Sequence, residues 1–92
     1  MAIVRAALTQ TVNTFMDMPD SVADLGRLKV RLEDIRAANV AHNIALIQKA
    51  AKAGAKVIGL GELCTAPYFA LGKDPMWLGM AENATTGPTI TA

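Results

Sequence analysis

Three side chains in this sequence have the chemistry of a reactive site: Glu62, Cys64 and His42. Glu62 closes the uncharged run Val57-Ile58-Gly59-Leu60-Gly61. A carboxylate at the edge of a buried element must be solvated, paired or useful, because desolvating an unpaired charge costs far more than one hydrogen bond returns. At the carboxyl end of a strand in an open α/β sheet, where ligands gather, partial burial would bring it into the range of a general base or acid. A surface carboxylate, or an acceptor for backbone N–H groups, is the other reading that position leaves open.

Cys64 lies two residues on. A thiol becomes a nucleophile when its pKa is lowered, and a neighbouring carboxylate works the other way, so Cys64 is expected to be a small buried hydrophobe. His42 projects almost opposite the apolar stripe of its own helix and has no sequence-adjacent partner, so it is expected to face water with Lys49 and Lys56. Gly59-Leu60-Gly61 begins a dinucleotide-binding pattern that fails twice. Its third glycine would fall on Cys64, and Pro67 blocks the helix that should receive the pyrophosphate. Those glycines are expected to permit close backbone packing instead.

The elements that must position Glu62 follow from periodicity. Ile3 to Thr11 is short, partly β-branched and apolar, as a first buried strand should be. Pro19 ends a loop, and Ser21 is a helix N-cap with Asp24 in the favourable first turn. Leu25, Leu28, Leu32 and Ile35 form one helical stripe, and Val40, Ile44, Ile47 and Ala51 a second, about 120° away at about 100° per residue. The chain therefore has two helices, or one bent near Ala37-Ala38-Asn39, ending at a left-handed Gly54. Val57 to Gly61 is the second strand. A strand-helix-strand order predicts parallel pairing by a right-handed crossover, with both strands buried. Thr65-Ala66-Pro67 bars a helix after Glu62. Asp74-Pro75 starts a short helix carrying Met76, Trp77 and Met80, and Thr86-Gly87-Pro88 is a further helix entry with proline at its first position.

Composition narrows the class. With 92 residues the chain has room for one small domain, and 52% hydrophobic against 18% charged residues is the balance of a folded chain. A formal charge of +1, with no basic cluster interleaved with aromatics, argues against nucleic acid. One cysteine excludes an internal disulfide framework. No apolar run approaches the length of a membrane span and the start has no secretory pattern, so a cytoplasmic location is expected.

The segments "VRAALTQT", "HNIALIQKAAKAGAKVIGLGELCTAPYF" and "MAENATTGPTI" resemble the amino-terminal third of the nitrilase superfamily of carbon-nitrogen hydrolases, and within it the β-ureidopropionase group. The resemblance is specific around Glu62 to Phe69. It implies the amino-terminal part of a four-layer α-β-β-α sandwich, so residues 1–92 would be a fragment of one hydrolase domain. It also implies a Glu-Lys-Cys triad in which Glu62 is the glutamate, with Tyr68 and Phe69 as candidate substrate contacts. The lysine and nucleophilic cysteine would lie beyond the matched region, and Cys64 stands where relatives often have phenylalanine. The resemblance implies a small amide or N-carbamoyl substrate, no metal or organic cofactor, and a homo-oligomer at full length. A catalytically inactive fragment, or a structural or interaction module of the same fold, is the alternative.

Overall fold

The cap that ends the long helix decides where the sheet begins. In the computed structural model, which describes residues 2–67 and 73–92, helix α1 runs Leu32–Lys52. Gly54 follows it with φ 91°, a conformation that costs glycine little. Its N–H donates to Ala51 O at 2.9 Å and that of Ala55 donates to Ala50 O at 3.1 Å, the paired bonds of a Schellman cap. With the Ala55 N–H spent on the helix, strand pairing opens one residue later, where Lys56 N–H donates to Arg5 O at 2.8 Å.

Strands β1 (Ala6–Leu8) and β2 (Val57–Gly59) then pair in parallel, Ala6 opposite Val57 and Leu8 opposite Gly59. The expected strand-helix-strand unit is present, as a mixed α/β arrangement with a two-stranded sheet. Both strands are shorter than Ile3–Thr11 and Val57–Gly61. The ladder is limited by the partner at either end: by the helix cap before Lys56, and by the turns that begin at Glu62. Gly59 and Gly61 make room for side chains and not, as expected, for neighbouring backbone. An ideal Cβ on Gly59 would lie 2.8 Å from Leu8 Cδ2.

Burial of both strands is not what the chain achieves. Ala7 and Ile58 are half-buried, while Ala6, Leu8 and Val57 on the alternate face are exposed, Leu8 at 91%. Two strands have no second layer on that face, so alternation places half of their side chains in water.

The helical region also departs from expectation. Ser21 caps as expected, its Oγ accepting from Ala23 N–H at 3.2 Å, but the segment Val22–Arg31 is a 3-10 helix. Leu25, Leu28 and Arg31 recur every third residue and so lie along one face of a three-fold helix. The change to α geometry comes at Arg31 (φ −118°, ψ 12°), and α1 runs unbroken through Ala37-Ala38-Asn39. Asn39 does not break it because its amide bonds to groups outside the helix. The second 3-10 helix, Pro75–Met80, starts as expected, with Met76 N–H donating to Asp74 Oδ1 at 2.9 Å. α2, Pro88–Thr91, has its proline at the first position.

The core sits between these helices and away from the sheet. Phe15, Leu28, Ile35, Met76, Trp77 and Met80 form it, with Leu25, Leu32 and Met18 packed around. Arg36, 5% exposed, ties α1 to the last third of the chain. Its Nη2 donates to Gly79 O at 3.2 Å, and its Nε lies 3.2 Å from Glu82 Oε2, an ion pair without hydrogen-bond geometry. Among the described residues, no helix is long and apolar enough to cross a membrane.

Candidate functional site

The two strands run the same way, so the loops after them leave from one edge of the sheet. A groove of about 280 Å³ opens at that carboxyl edge, lined from the first loop by Thr11, Val12 and Asn13 and from the second by Glu62, Leu63, Cys64, Ala66 and Pro67. Gly61 lets the loops approach, since an ideal Cβ there would lie 2.8 Å from Thr11 Oγ1.

Glu62 stands in this groove, three residues past the last ladder position Gly59, in a turn that Ala66 N–H closes onto Leu63 O at 3.1 Å. Its side chain is exposed and forms no ion pair or hydrogen bond among the described residues. The expected partial burial is therefore not realised within this chain, because nothing described here covers the carboxyl edge of the sheet. The next residue, Leu63, has φ 53°. A branched side chain in that left-handed region costs about 1–2 kcal/mol, and such a conformation persists only where the surroundings over-determine it.

Cys64 is half-buried and lines both this groove and a second, apolar cavity of about 330 Å³. The groove brings it together with Glu62, and among the described residues no lysine, arginine or histidine lines it. The apolar cavity is walled by Val40, Ile44 and Ile47 of the second stripe together with Leu60. That stripe thus faces the second loop, as the first faces the core; Ala51 at its end is exposed.

His42 is a correction. It is half-buried, and its Nε2 is buried without a hydrogen-bond partner among the described residues, so it does not project into water as helical arithmetic had it. A single helix does not reveal what else packs on its polar side. Lys49 and Lys56 are exposed, as expected. Among the described residues no group of three or more His, Cys, Asp or Glu side chains could hold a metal ion. Tyr68 and Phe69, the candidate substrate contacts, lie outside the described residues.

Sequence reasoning passed over two residues that matter to this edge, Asn39 and Asn43. Both are buried on α1, and both hydrogen-bond the loops that form the groove. Their signal was available: two asparagines four apart in a helix interior, where asparagine is a poor former, must have partners that repay the position. Comparison of the chain with protein-family profiles, with characterised proteins and with solved structures finds no match.

Proposed function

We propose that this chain is the amino-terminal part of a carbon-nitrogen hydrolase of the nitrilase type, with Glu62 as its proton-transfer carboxylate. The observation that carries the reading is the place of Glu62: at the carboxyl edge of a parallel sheet, in a groove formed by the loops after both strands. Two further features support it. One row of sheet side chains, Ala7 and Ile58, is half-buried and the other, with Leu8 and Val57, is apolar and exposed, as it would be in a sandwich before a second sheet covers it. The accessible surface, 6717 Å², exceeds the roughly 5100 Å² expected of a self-contained domain of this mass.

In the proposed reaction Glu62 takes the proton of a cysteine thiol supplied by a later part of the full protein. The thiolate adds to the carbonyl of an amide or N-carbamoyl group, and a lysine stabilises the oxyanion. Collapse breaks the C–N bond, the nitrogen leaves as ammonia with the proton held by Glu62, and a thioester (from an amide) or thiocarbamate (from an N-carbamoyl group) remains. Water, deprotonated by the same carboxylate, attacks this intermediate and restores the thiol. No metal or organic cofactor has a part in this chemistry, and the full protein would be a cytoplasmic homo-oligomer acting on a small molecule. Tyr68 and Phe69 would contact the substrate.

The same open apolar face favours a second reading, an inactive module of this fold whose role is to bind another protein. Ammonia release from N-carbamoyl-β-alanine and simple amides separates them. The 92-residue chain should release none, since the nucleophile is lacking. In the protein that joins this segment to a downstream lysine and cysteine, Glu62→Gln keeps size and most hydrogen bonding and should lower kcat by about 10²-fold or more. Turnover that survives this substitution would overturn the assignment.

A further inference from the structure

The groove at the carboxyl edge is held open by two amides that belong to neither of its loops. Asn39 and Asn43 lie one turn apart on α1, at 2% and 5% exposure. From Asn39, Nδ2 donates to Asn13 Oδ1 at 2.9 Å and to Thr65 O at 3.4 Å, while Oδ1 accepts from Thr14 N–H at 2.8 Å and from Thr14 Oγ1 at 3.2 Å. From Asn43, Nδ2 donates to Cys64 O at 2.9 Å and to Asn39 O at 2.8 Å. One amide thus grips both loops, and the other grips the turn that carries Glu62.

We propose that Asn39 and Asn43 form a clamp that fixes the spacing of the two loops and so the position of Glu62, which makes them positioning residues. The link to turnover rests on the function proposed above; the clamp itself does not. Its strength comes from what the loops would lose. A buried carbonyl such as that of Cys64, deprived of its donor, is left with the full cost of desolvation. Among the described residues Asn43 Oδ1 is buried with no hydrogen-bond partner, and the two bonds donated by Nδ2 orient this side chain. Leu63, in its left-handed conformation, sits between Glu62 and the gripped carbonyl of Cys64. The clamp supplies the over-determination that conformation needs.

Cys64, the only cysteine, is a built-in probe, because its labelling by a thiol reagent reports opening of this turn. In the 92-residue chain, Asn39→Ala, Asn43→Ala and the isosteric Asn43→Asp, which has no donor, should each raise the labelling rate by about tenfold at zero urea. The increase should hardly change with urea, the mark of local opening, whereas Met76→Ala in the core should raise only the urea-dependent rate. Wild-type labelling in the asparagine variants, or a rise that follows global unfolding, would overturn the clamp. In the catalytically complete protein Asn43→Asp should lower kcat per folded site by about tenfold or more at nearly constant KM, since small displacements of a reacting group are costly. If Glu62→Gln abolishes turnover while Asn43→Asp leaves kcat intact, the positioning role is wrong and the functional reading stands. If Glu62→Gln leaves turnover intact, the functional reading fails, and labelling alone decides the clamp.

Discussion

The helical half and the sheet half of this chain are built from the same apolar residue types and end in opposite states. Leu28 and Ile35 are 2% and 0% exposed, whereas Leu8 and Ile3 are each 91% exposed. The difference is partners, not composition. Leu28 and Ile35 meet Phe15, Met76, Trp77 and Met80, so four separate stretches of chain enclose one cluster. The sheet side chains have no such enclosure among the described residues: Ala7 and Ile58 are half-buried, and Leu8 and Val57 are exposed. Stability and function are thereby separated in space: the groove with Glu62 opens at the half with the least burial. Such an arrangement suits a surface completed by something else, and it makes the sheet half a liability in isolation.

The largest test of this contrast is truncation in the packed half. Ile35→Ala and Trp77→Ala should each lower unfolding free energy by about 3–5 kcal/mol by urea titration, on the scale of cavities left in a closed core. If both cost less than about 1 kcal/mol, the helical cluster is not the source of stability and the contrast fails.

A smaller effect comes from the link between α1 and the last turn of chain. The Glu82 carboxylate accepts from Thr89 Oγ1 at 2.5 Å and Thr89 N–H at 2.7 Å, and with the charge of Arg36 these hold its pKa below the ordinary 4.5. Because the folded value is depressed, the stabilisation is complete above the ordinary value and is lost as pH falls through the folded one. Thermal unfolding followed from pH 6 downward should therefore show a steeper fall below about pH 4.5 for wild type than for Glu82→Gln. Equal slopes would remove Glu82 as a contributor.

The smallest effect on stability is expected on the bare sheet face. Leu8→Lys should change unfolding free energy by less than about 0.5 kcal/mol, because nothing covers that side chain. It should nevertheless reduce self-association in size-exclusion chromatography, where wild type is expected to run larger than a monomer. A loss of stability on the scale of Ile35→Ala would mean that the face is covered in the isolated chain.

Features governed by local rules could be read from the residues alone. Ser21, Gly54, Asp74-Pro75 and Pro88 each act through groups within a few positions, and each sits where capping chemistry places it. The parallel pairing was also readable, since a helix between two strands leaves few other connections. Features set by distant neighbours were not. Nothing near His42 announces that its Nε2 is buried, and no periodicity distinguishes a 3-10 from an α segment when the apolar spacing mixes threes and fours. The position of Glu62 at a strand end was recoverable from its own segment. Its exposure was not, because burial there depends on what packs over the carboxyl edge, and no described residue buries it.

Arg5 gives the sheet a timetable. Its carbonyl accepts the N–H of Lys56 while its guanidinium Nη1 donates to Ala53 O at the end of α1, so one residue reads both the helix terminus and the first rung of the ladder. During synthesis, β1 emerges first and has no partner until Lys56 is made. The intervening chain holds α1, whose end at Lys52 lies just before Lys56 in the sequence. A strand slipped by one position would forfeit the side-chain bond together with the backbone one, so the end of the helix marks the register of the first strand.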